Sequence, residues 1–177
     1  MSKTKVLLNA KEIGRTMDRL ATEIIERHGE CGDVVILGIQ RRGVDLARRL
    51  KASLDSKLGE DIPLGLLDIN LYRDDWTTLD VQPQINKTEI FFDIDDKKIV
   101  LVDDVLFTGR TIRAALEAIL DFGRPNRVEL MVLVDRGHRE LPIHGDYVGI
   151  RVDTRRGEHV DVYLAERDER EEVVLAG

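Results

Sequence analysis

The chain has 177 residues, of which 42% are hydrophobic and 34% charged, and it carries a formal net charge of −7 and a single cysteine. This length fits one domain with a buried core, and the lone cysteine excludes an internal disulfide framework and fits a reducing compartment. The acidic balance argues against a wholly basic nucleic-acid-binding protein but allows a local basic face. No apolar run reaches the ~20 residues of a membrane span or resembles a signal peptide. We therefore expect a single cytoplasmic domain over 1–177.

Helical and strand patterns alternate in the first half of the chain. Apolar residues recur at helical spacing over 10–26, which predicts an amphipathic helix. The continuous apolar run at 34–39 is typical of a strand that is covered on both faces. A second helix is predicted over 43–58 and another strand over 66–71.

The segment at about 72–88 keeps no periodic pattern and is polar at its start. It begins with Tyr72, Arg73, Asp74 and Asp75. A loop of this length inside a compact domain is usually functional or flexible. Two interpretations stay open: a surface excursion, and a flexible lid that closes over a site and excludes water.

The second half of the chain continues the alternation. Apolar strands are predicted over 98–102 and 127–134, with a helix over 111–122 between them and shorter strands after them. Such an order implies a mainly parallel sheet between helices, and ligands of such sheets bind beyond the carboxyl ends of the strands. We interpret the acidic tail at about 165–177 as solvated surface.

The most informative stretch of the chain lies at 100–111. An apolar run ends in two adjacent carboxylates, Asp103 and Asp104, and a turn with two hydroxyls and a glycine opens the next helix at 108–111. Such a turn, with the N–H groups of a helix start, suits an anion. The carboxylates suit ribose hydroxyls or a hydrated Mg²⁺. The spacing therefore predicts a sugar-phosphate site at the end of a strand, against the alternative of a turn that only caps a helix.

This stretch resembles the phosphoribosyl pyrophosphate (PRPP) motif of the type I phosphoribosyltransferases. The resemblance implies that the acidic pair holds the ribose hydroxyls, with Mg²⁺ as the cofactor, and that the turn wraps the 5′-phosphate. The residues implied at PRPP are Asp103, Asp104, Val105, Leu106, Phe107, Thr108, Gly109, Arg110 and Thr111.

A second anion site is predicted at 40–43, where a basic turn with a glycine opens a helix. In the type I family this turn is the pyrophosphate loop. The resemblance implies that Arg41 and Arg42 meet the leaving pyrophosphate and that Gly43 supplies backbone amides. Arg42 is counted with Asp103 and Asp104 as catalytic. The alternative is a pair of solvated arginines at a helix start.

The stretch at 134–143, with 68–75 and 122–125, resembles the PyrR family of pyrimidine-operon attenuators, which also have uracil phosphoribosyltransferase activity. The resemblance runs from about Val6 to Leu164. It implies an α/β fold of the type I phosphoribosyltransferases: a mainly parallel central sheet flanked by helices, with a small hood. It also implies PRPP, uracil and UMP as ligands and a homodimer or higher homo-oligomer.

The PyrR resemblance places Arg136 and Arg139 at the base and nucleotide site, where the alternative is a charged loop cluster. Purine-salvage relatives have a carboxylate three positions after the acidic pair. Phe107 occupies that position here, and an apolar ring cannot be a general base. This favours uracil over hypoxanthine or guanine, although the ring could also be a core aromatic.

The regulatory function of the family would need RNA binding, for which Lys and Arg contacts to phosphates supply most of the affinity. The chain departs from the family pattern at Thr22, His144 and Ile150. The candidates for RNA contacts are Arg15, Arg19, Arg27, Arg151, Arg155 and Arg156. Two hypotheses stay open: a uracil phosphoribosyltransferase that is also a UMP-responsive attenuator binding a leader RNA, and an enzyme or nucleotide sensor without RNA binding.

Overall fold

The computed structural model describes residues 4–75 and 87–177. Helices in these ranges are α1 (Ala10–His28), α2 (Arg42–Leu58), the one-turn 3₁₀ helix Asn70–Tyr72 and α3 (Arg110–Leu120). Strands are β1 (Thr4–Asn9), β2 (Val34–Ile39), β3 (Leu64–Leu67), β4 (Lys98–Leu106), β5 (Arg127–Asp135), β6 (Tyr147–Arg151), β7 (His159–Tyr163) and β8 (Glu172–Ala176).

The strands form two sheets. The central sheet has five strands in the order β3-β2-β4-β5-β6, and all of its neighbours run parallel. The second sheet, the hood, has three antiparallel strands in the order β1-β8-β7. The predicted architecture is therefore confirmed, a mainly parallel central sheet with helices and a small hood.

Helices cover both faces of the central sheet, because alternate residues of a strand point to opposite faces. On β2, Ile36 packs in a cluster that includes Leu20 of α1 and Leu50 of α2. Its neighbour Leu37 packs in a second cluster that includes Ile112 of α3. This two-sided burial explains why β2 is apolar without interruption. No helix in the described ranges combines the length and apolar character needed to cross a bilayer.

The boundaries of two strands differ from the prediction. The predicted strand over 66–71 is wrong, since β3 ends at Leu67. A local turn ends it, in which the Asp68 carboxylate accepts the N–H of Asn70 at 2.9 Å and competes with strand pairing. β4 instead continues past 102 to Leu106, so the acidic pair lies within the strand and not beyond it.

The interpretation of the tail at about 165–177 as solvated surface is wrong for its last part, although Glu166 and Glu169 are exposed. Residues Glu172–Ala176 form β8, the central strand of the hood, between β1 and β7. Val173 is fully buried there, and Val174 is 3% exposed. The carboxylates of Glu166 and Glu171 both pair with Arg49 of α2, so this arginine neutralises part of the charge of the tail.

Truncating a core leucine tests the packing of α2 on the central sheet. Leu50 of α2 is completely buried, whereas Leu120 at the end of α3 is 66% exposed. Leu50→Ala should lower the free energy of unfolding by about 2–5 kcal/mol, because the cavity adds to the lost transfer energy. Leu120→Ala, the matched control, should change it by less than ~1 kcal/mol. Urea denaturation measures both, and equal effects would contradict the packing described.

Candidate active site

Three loops meet at the carboxyl edge of the central sheet. β4 lies between β2 and β5 and is parallel to both, so the carboxyl ends of the three strands are neighbours. The turn 40–43 follows β2, the turn 107–109 follows β4, and the loop 136–146 follows β5. The topology therefore brings together the segments that the sequence marked separately, at the edge where ligands of parallel sheets bind.

The acidic pair lies near the end of β4 in a largely buried position. Asp103 is 7% exposed, and its carboxylate accepts the N–H of Asp104 at 2.9 Å. The Asp104 carboxylate in turn accepts the N–H of Val105 at 2.8 Å. Burial, reinforced by the charge of the neighbouring Asp104, raises the pKa of Asp103 well above its ordinary value. A bound cation, or hydroxyl groups that donate to the carboxylate, would stabilise the ionised form of Asp103 and lower this pKa again.

The turn after β4 has the geometry of an anion-binding helix start. Gly109 has φ +90°, which a glycine adopts without strain, and α3 begins at the next residue. The first N–H groups of a helix have no partners within it. The Thr108 carbonyl accepts the N–H groups of Glu140 and Leu141 at 2.9 and 3.2 Å. The loop after β5 thus supports the turn from the side.

Arg110 joins this turn to two other segments. Its Nε donates to Glu140 at 2.7 Å, and its Nη1 donates to Asp74 at 2.7 Å. Asp74 belongs to the segment that precedes the undescribed residues, and Glu140 belongs to the loop after β5. Sequence reasoning missed Glu140 as a site residue, because its only signal was its place inside the stretch 134–143.

An open cleft lies over the turn. It is lined by Arg73, Asp74, Asp75, Phe107, Thr108, Arg110 and Thr111. Arg113 donates to the Tyr72 carbonyl at 2.7 Å, which attaches the start of the predicted loop to α3. The hypothesis of a lid over 72–88 falls mainly on 76–86, which lie outside the described residues.

The basic turn 40–43 packs directly against the end of β4. A Cβ atom on Gly43 would lie 2.5 Å from the Val102 carbonyl oxygen and 3.3 Å from the Cα of Asp103, so only glycine allows this approach. α2 begins at Arg42, and the Gln40–Arg41 peptide bond is cis. The turn and the acidic pair are therefore in backbone contact.

Phe107 and Arg136 form a stacked pair beside the turn. The guanidinium of Arg136 lies 4.0 Å from the centre of the Phe107 ring, a cation–π distance. Arg136 is 5% exposed, and its Nη2 donates to the Glu158 carbonyl at 2.6 Å. Burial lowers the pKa of Arg136. The ring of His138 meets Phe107 edge-on, with 6.1 Å between centres.

Arg139 braces the loop that follows β5. Its Nη2 donates to both carboxylate oxygens of Asp135 at 2.7 Å, its Nη1 to the Phe107 carbonyl at 2.7 Å, and its Nε to the Ile143 carbonyl at 2.8 Å. The structure thus brings Arg136 and Arg139 together around Phe107. Arg139 donates to protein groups from Nε, Nη1 and Nη2, whereas the Arg136 guanidinium lies over the Phe107 ring.

The candidates for RNA contacts occupy two places. Arg19 donates to the Gly149 carbonyl at 2.6 Å and to Glu23 at 2.5 Å, so it lies against β6. Arg27 lies 3.6 Å from Glu129 and 3.7 Å from Asp146. The second place is the end of β6 and the loop after it, which carry Arg151, Arg155 and Arg156. Arg15, Arg151, Arg155 and Arg156 are exposed.

Carboxylates accompany several of these arginines. Arg156 lies 3.7 Å from Glu140, and the backbone N–H of Arg155 donates to the Glu158 carboxylate at 2.6 Å. The predicted sharing of one face by Arg15 and Arg19 follows from their spacing on α1. The positive charge of these arginines is therefore divided between two places and partly compensated by carboxylates.

Comparison with known proteins identifies the family. The sequence model of a protein family described as the phosphoribosyl transferase domain matches residues 3–167. The bifunctional protein PyrR of Syntrophobacter fumaroxidans is 50% identical over 172 residues, which are 97% of this chain and 92% of that protein. The bifunctional protein PyrR of Chloroflexus aurantiacus is 53% identical over 175 residues, 99% of this chain and 96% of that protein.

Solved structures show the same fold in more distant proteins. A hypoxanthine-guanine phosphoribosyltransferase from Bacillus anthracis has a TM-score of 0.73 at 16% identity, with 98% of each chain covered. The hypoxanthine phosphoribosyltransferase of Trypanosoma cruzi has a TM-score of 0.72 at 15% identity, with 97% of this chain and 95% of that chain covered. These likenesses show the fold alone. With the relatives above, they establish that this chain has the type I phosphoribosyltransferase fold and belongs to the PyrR family.

Proposed function

We propose that the protein transfers the ribosyl phosphate of PRPP to N1 of uracil, giving UMP and pyrophosphate, and that it also regulates pyrimidine genes as a PyrR protein. One observation carries the enzyme proposal. The acidic pair, the turn at the start of α3 and the basic turn at the start of α2 occupy adjacent strand ends, in a chain about half identical to bifunctional PyrR proteins over almost its whole length.

Each segment has one task in this reaction. The turn 108–111 binds the 5′-phosphate through the N–H groups of a helix start. Asp103 and Asp104 hold the ribose hydroxyls. Arg41 and Arg42 neutralise the leaving pyrophosphate. Because PRPP spans all three segments, binding fixes C1′ in one orientation, which is the main contribution that the protein makes to the rate.

The donor set fits Mg²⁺ that arrives with PRPP. The described residues hold no cluster of three or more His, Cys, Asp or Glu side chains that could bind a metal ion by themselves. Mg²⁺ is commonly held by one or two carboxylates plus substrate phosphates and water, and Asp103 and Asp104 supply such carboxylates. When bound, the ion neutralises charge on the leaving pyrophosphate.

The bond changes are simple. The C1′–O bond to pyrophosphate breaks, the bond from C1′ to N1 of uracil forms, and the N1 proton passes to solvent water. Positive charge develops on the ribosyl group in the transition state, so the nearby negative charge of Asp103 and Asp104 stabilises it. The pyrophosphate departs with the bonding electron pair, which the cationic turn at Arg41 and Arg42 favours.

The residues after β4 support a pyrimidine as the acceptor. Phe107 offers no proton acceptor where purine-specific relatives have a carboxylate. Arg136 stacks behind its ring and adds a positive charge to this part of the site. A base that needs a carboxylate to take its proton would find none at this position.

Removing charge from the acidic pair tests the ribose assignment. Asp103→Asn or Asp104→Asn keeps the shape and loses the charge-assisted bonds, so kcat/KM for PRPP should fall by about 10- to 100-fold. Asp96→Asn is the control, because Asp96 is exposed at the other end of β4 and has φ 59°, which Asn tolerates. Unchanged kinetics in both site variants would overturn the assignment.

A screen of bases tests the acceptor. With Mg²⁺ and PRPP present, uracil should give UMP and hypoxanthine should give no IMP, because Phe107 cannot accept the purine proton. Chromatographic detection of both nucleotides in parallel reactions decides this. Efficient IMP formation would place the chain with the purine enzymes.

The regulatory proposal rests on the full-length similarity to bifunctional PyrR proteins. One acidic protomer offers only a divided basic surface, whereas a symmetric homodimer would join two copies of the same patch. UMP at the nucleotide site would act as the effector, with a coupling free energy that is reciprocal between UMP and RNA.

Gel-shift titrations with a pyrimidine-operon leader RNA test this surface. Affinity should fall with salt, rise with UMP, and decrease about 5- to 10-fold in Arg19→Ala or Arg155→Ala, since each loses a phosphate contact. Arg124→Ala, an exposed arginine after α3 on the other face of the sheet, should bind as the unmodified protein does. No RNA binding at low salt with UMP would leave the protein as an enzyme without the regulatory role.

A further inference from the structure

The loop between β7 and β8 forms ion pairs with the first half of α2. Arg49 of α2 donates to Glu166 at 2.7 and 2.6 Å and to Glu171 at 2.5 Å. Arg167 pairs with Asp45 of α2, a carboxylate that is only 2% exposed. The loop is therefore bound to α2 at two positions, Asp45 and Arg49.

Between these anchors, Asp168 reaches Arg42 at the first residue of α2. The Nη2 of Arg42 lies 3.0 and 3.3 Å from the two carboxylate oxygens of Asp168. Asp168 is itself fixed, because its Oδ2 accepts the N–H of Leu164 at 2.8 Å. That N–H and the Arg42 guanidinium lower the pKa of Asp168, so the carboxylate is ionised at neutral pH.

Arg42 keeps donors that Asp168 does not use. Its Nε is buried and has no hydrogen-bond partner among the described residues, whereas its side chain as a whole is 37% exposed. A guanidinium has five N–H donors in a rigid fork. Asp168 holds the fork at Nη2, and α2 begins at Arg42, next to the carboxyl edge of the sheet.

We propose that Asp168 is a positioning residue of the hood, which holds the Arg42 guanidinium in the orientation that receives pyrophosphate. The inference rests on the proposed role of Arg42 and extends it to a segment about 126 residues away in sequence. A free arginine must lose rotamer freedom when it binds an anion, and an arginine that is already held loses less. Through Asp168 the hood therefore acts on the pyrophosphate half of the substrate.

Titration calorimetry with Mg-pyrophosphate and, separately, with UMP tests this selectivity without requiring turnover. Asp168→Asn keeps the shape and the bond from Leu164 but loses the charge that holds Arg42. Pyrophosphate should bind about tenfold more weakly, because a charge-assisted bond is lost, and UMP should bind unchanged. Glu169→Gln removes one charge from an exposed neighbour and should change neither affinity.

A double-mutant cycle shows whether Asp168 acts through Arg42. In an Arg42→Gln background, Asp168→Asn should cause no further loss of pyrophosphate affinity, and in steady-state assays Asp168→Asn alone should raise KM for PRPP but not for uracil. Equal weakening of UMP and pyrophosphate, full additivity with Arg42→Gln, or unchanged pyrophosphate affinity would each overturn the inference. Failure of the proposed function would be seen separately, as no UMP formation by the unmodified protein.

Discussion

The contact between Gly43 and the end of β4 is the constraint on which the site depends. It sets the start of α2 against the backbone at Val102 and Asp103, at a separation that no side chain would permit. The cationic turn and the acidic pair consequently occupy fixed places relative to each other. Any anion bound by the turn is then held a few ångströms from whatever the carboxylates bind, as a substrate with a pyrophosphate next to a ribose requires.

The rest of the architecture keeps this contact in place. The two clusters of apolar side chains hold α2 and α3 on opposite faces of the sheet, so the two helix starts approach the edge from opposite sides. The ion pairs of the hood hold α2 from outside. Partly buried, multiply bonded pairs of this kind restrict geometry more effectively than isolated surface pairs. The loop between β7 and β8 thus supports the start of α2 from outside.

Much of the fold and site could be predicted from the sequence, because both depend on short, periodic signals. The unbroken apolar run of β2 and the carboxylates after the apolar part of β4 are local patterns, and the parallel order then places the loops at one edge. The end of β3 could not be predicted, since the Asp68 turn competes with pairing only in its folded surroundings. The pairing of the tail with α2 could not be predicted, because Arg49 and Glu166 are 117 residues apart and charge patterns along a chain carry no information about such pairs.

The central claim is that the acidic pair, the turn 108–111 and the turn 40–43 bind one molecule of PRPP. A crystal structure of the protein with Mg²⁺ and PRPP tests it most directly. We predict the 5′-phosphate at the turn 108–111, the ribose hydroxyls on Asp103 and Asp104, and the pyrophosphate at Arg42. A PRPP molecule bound with its 5′-phosphate at the turn 40–43, or bound away from the acidic pair, would contradict the account.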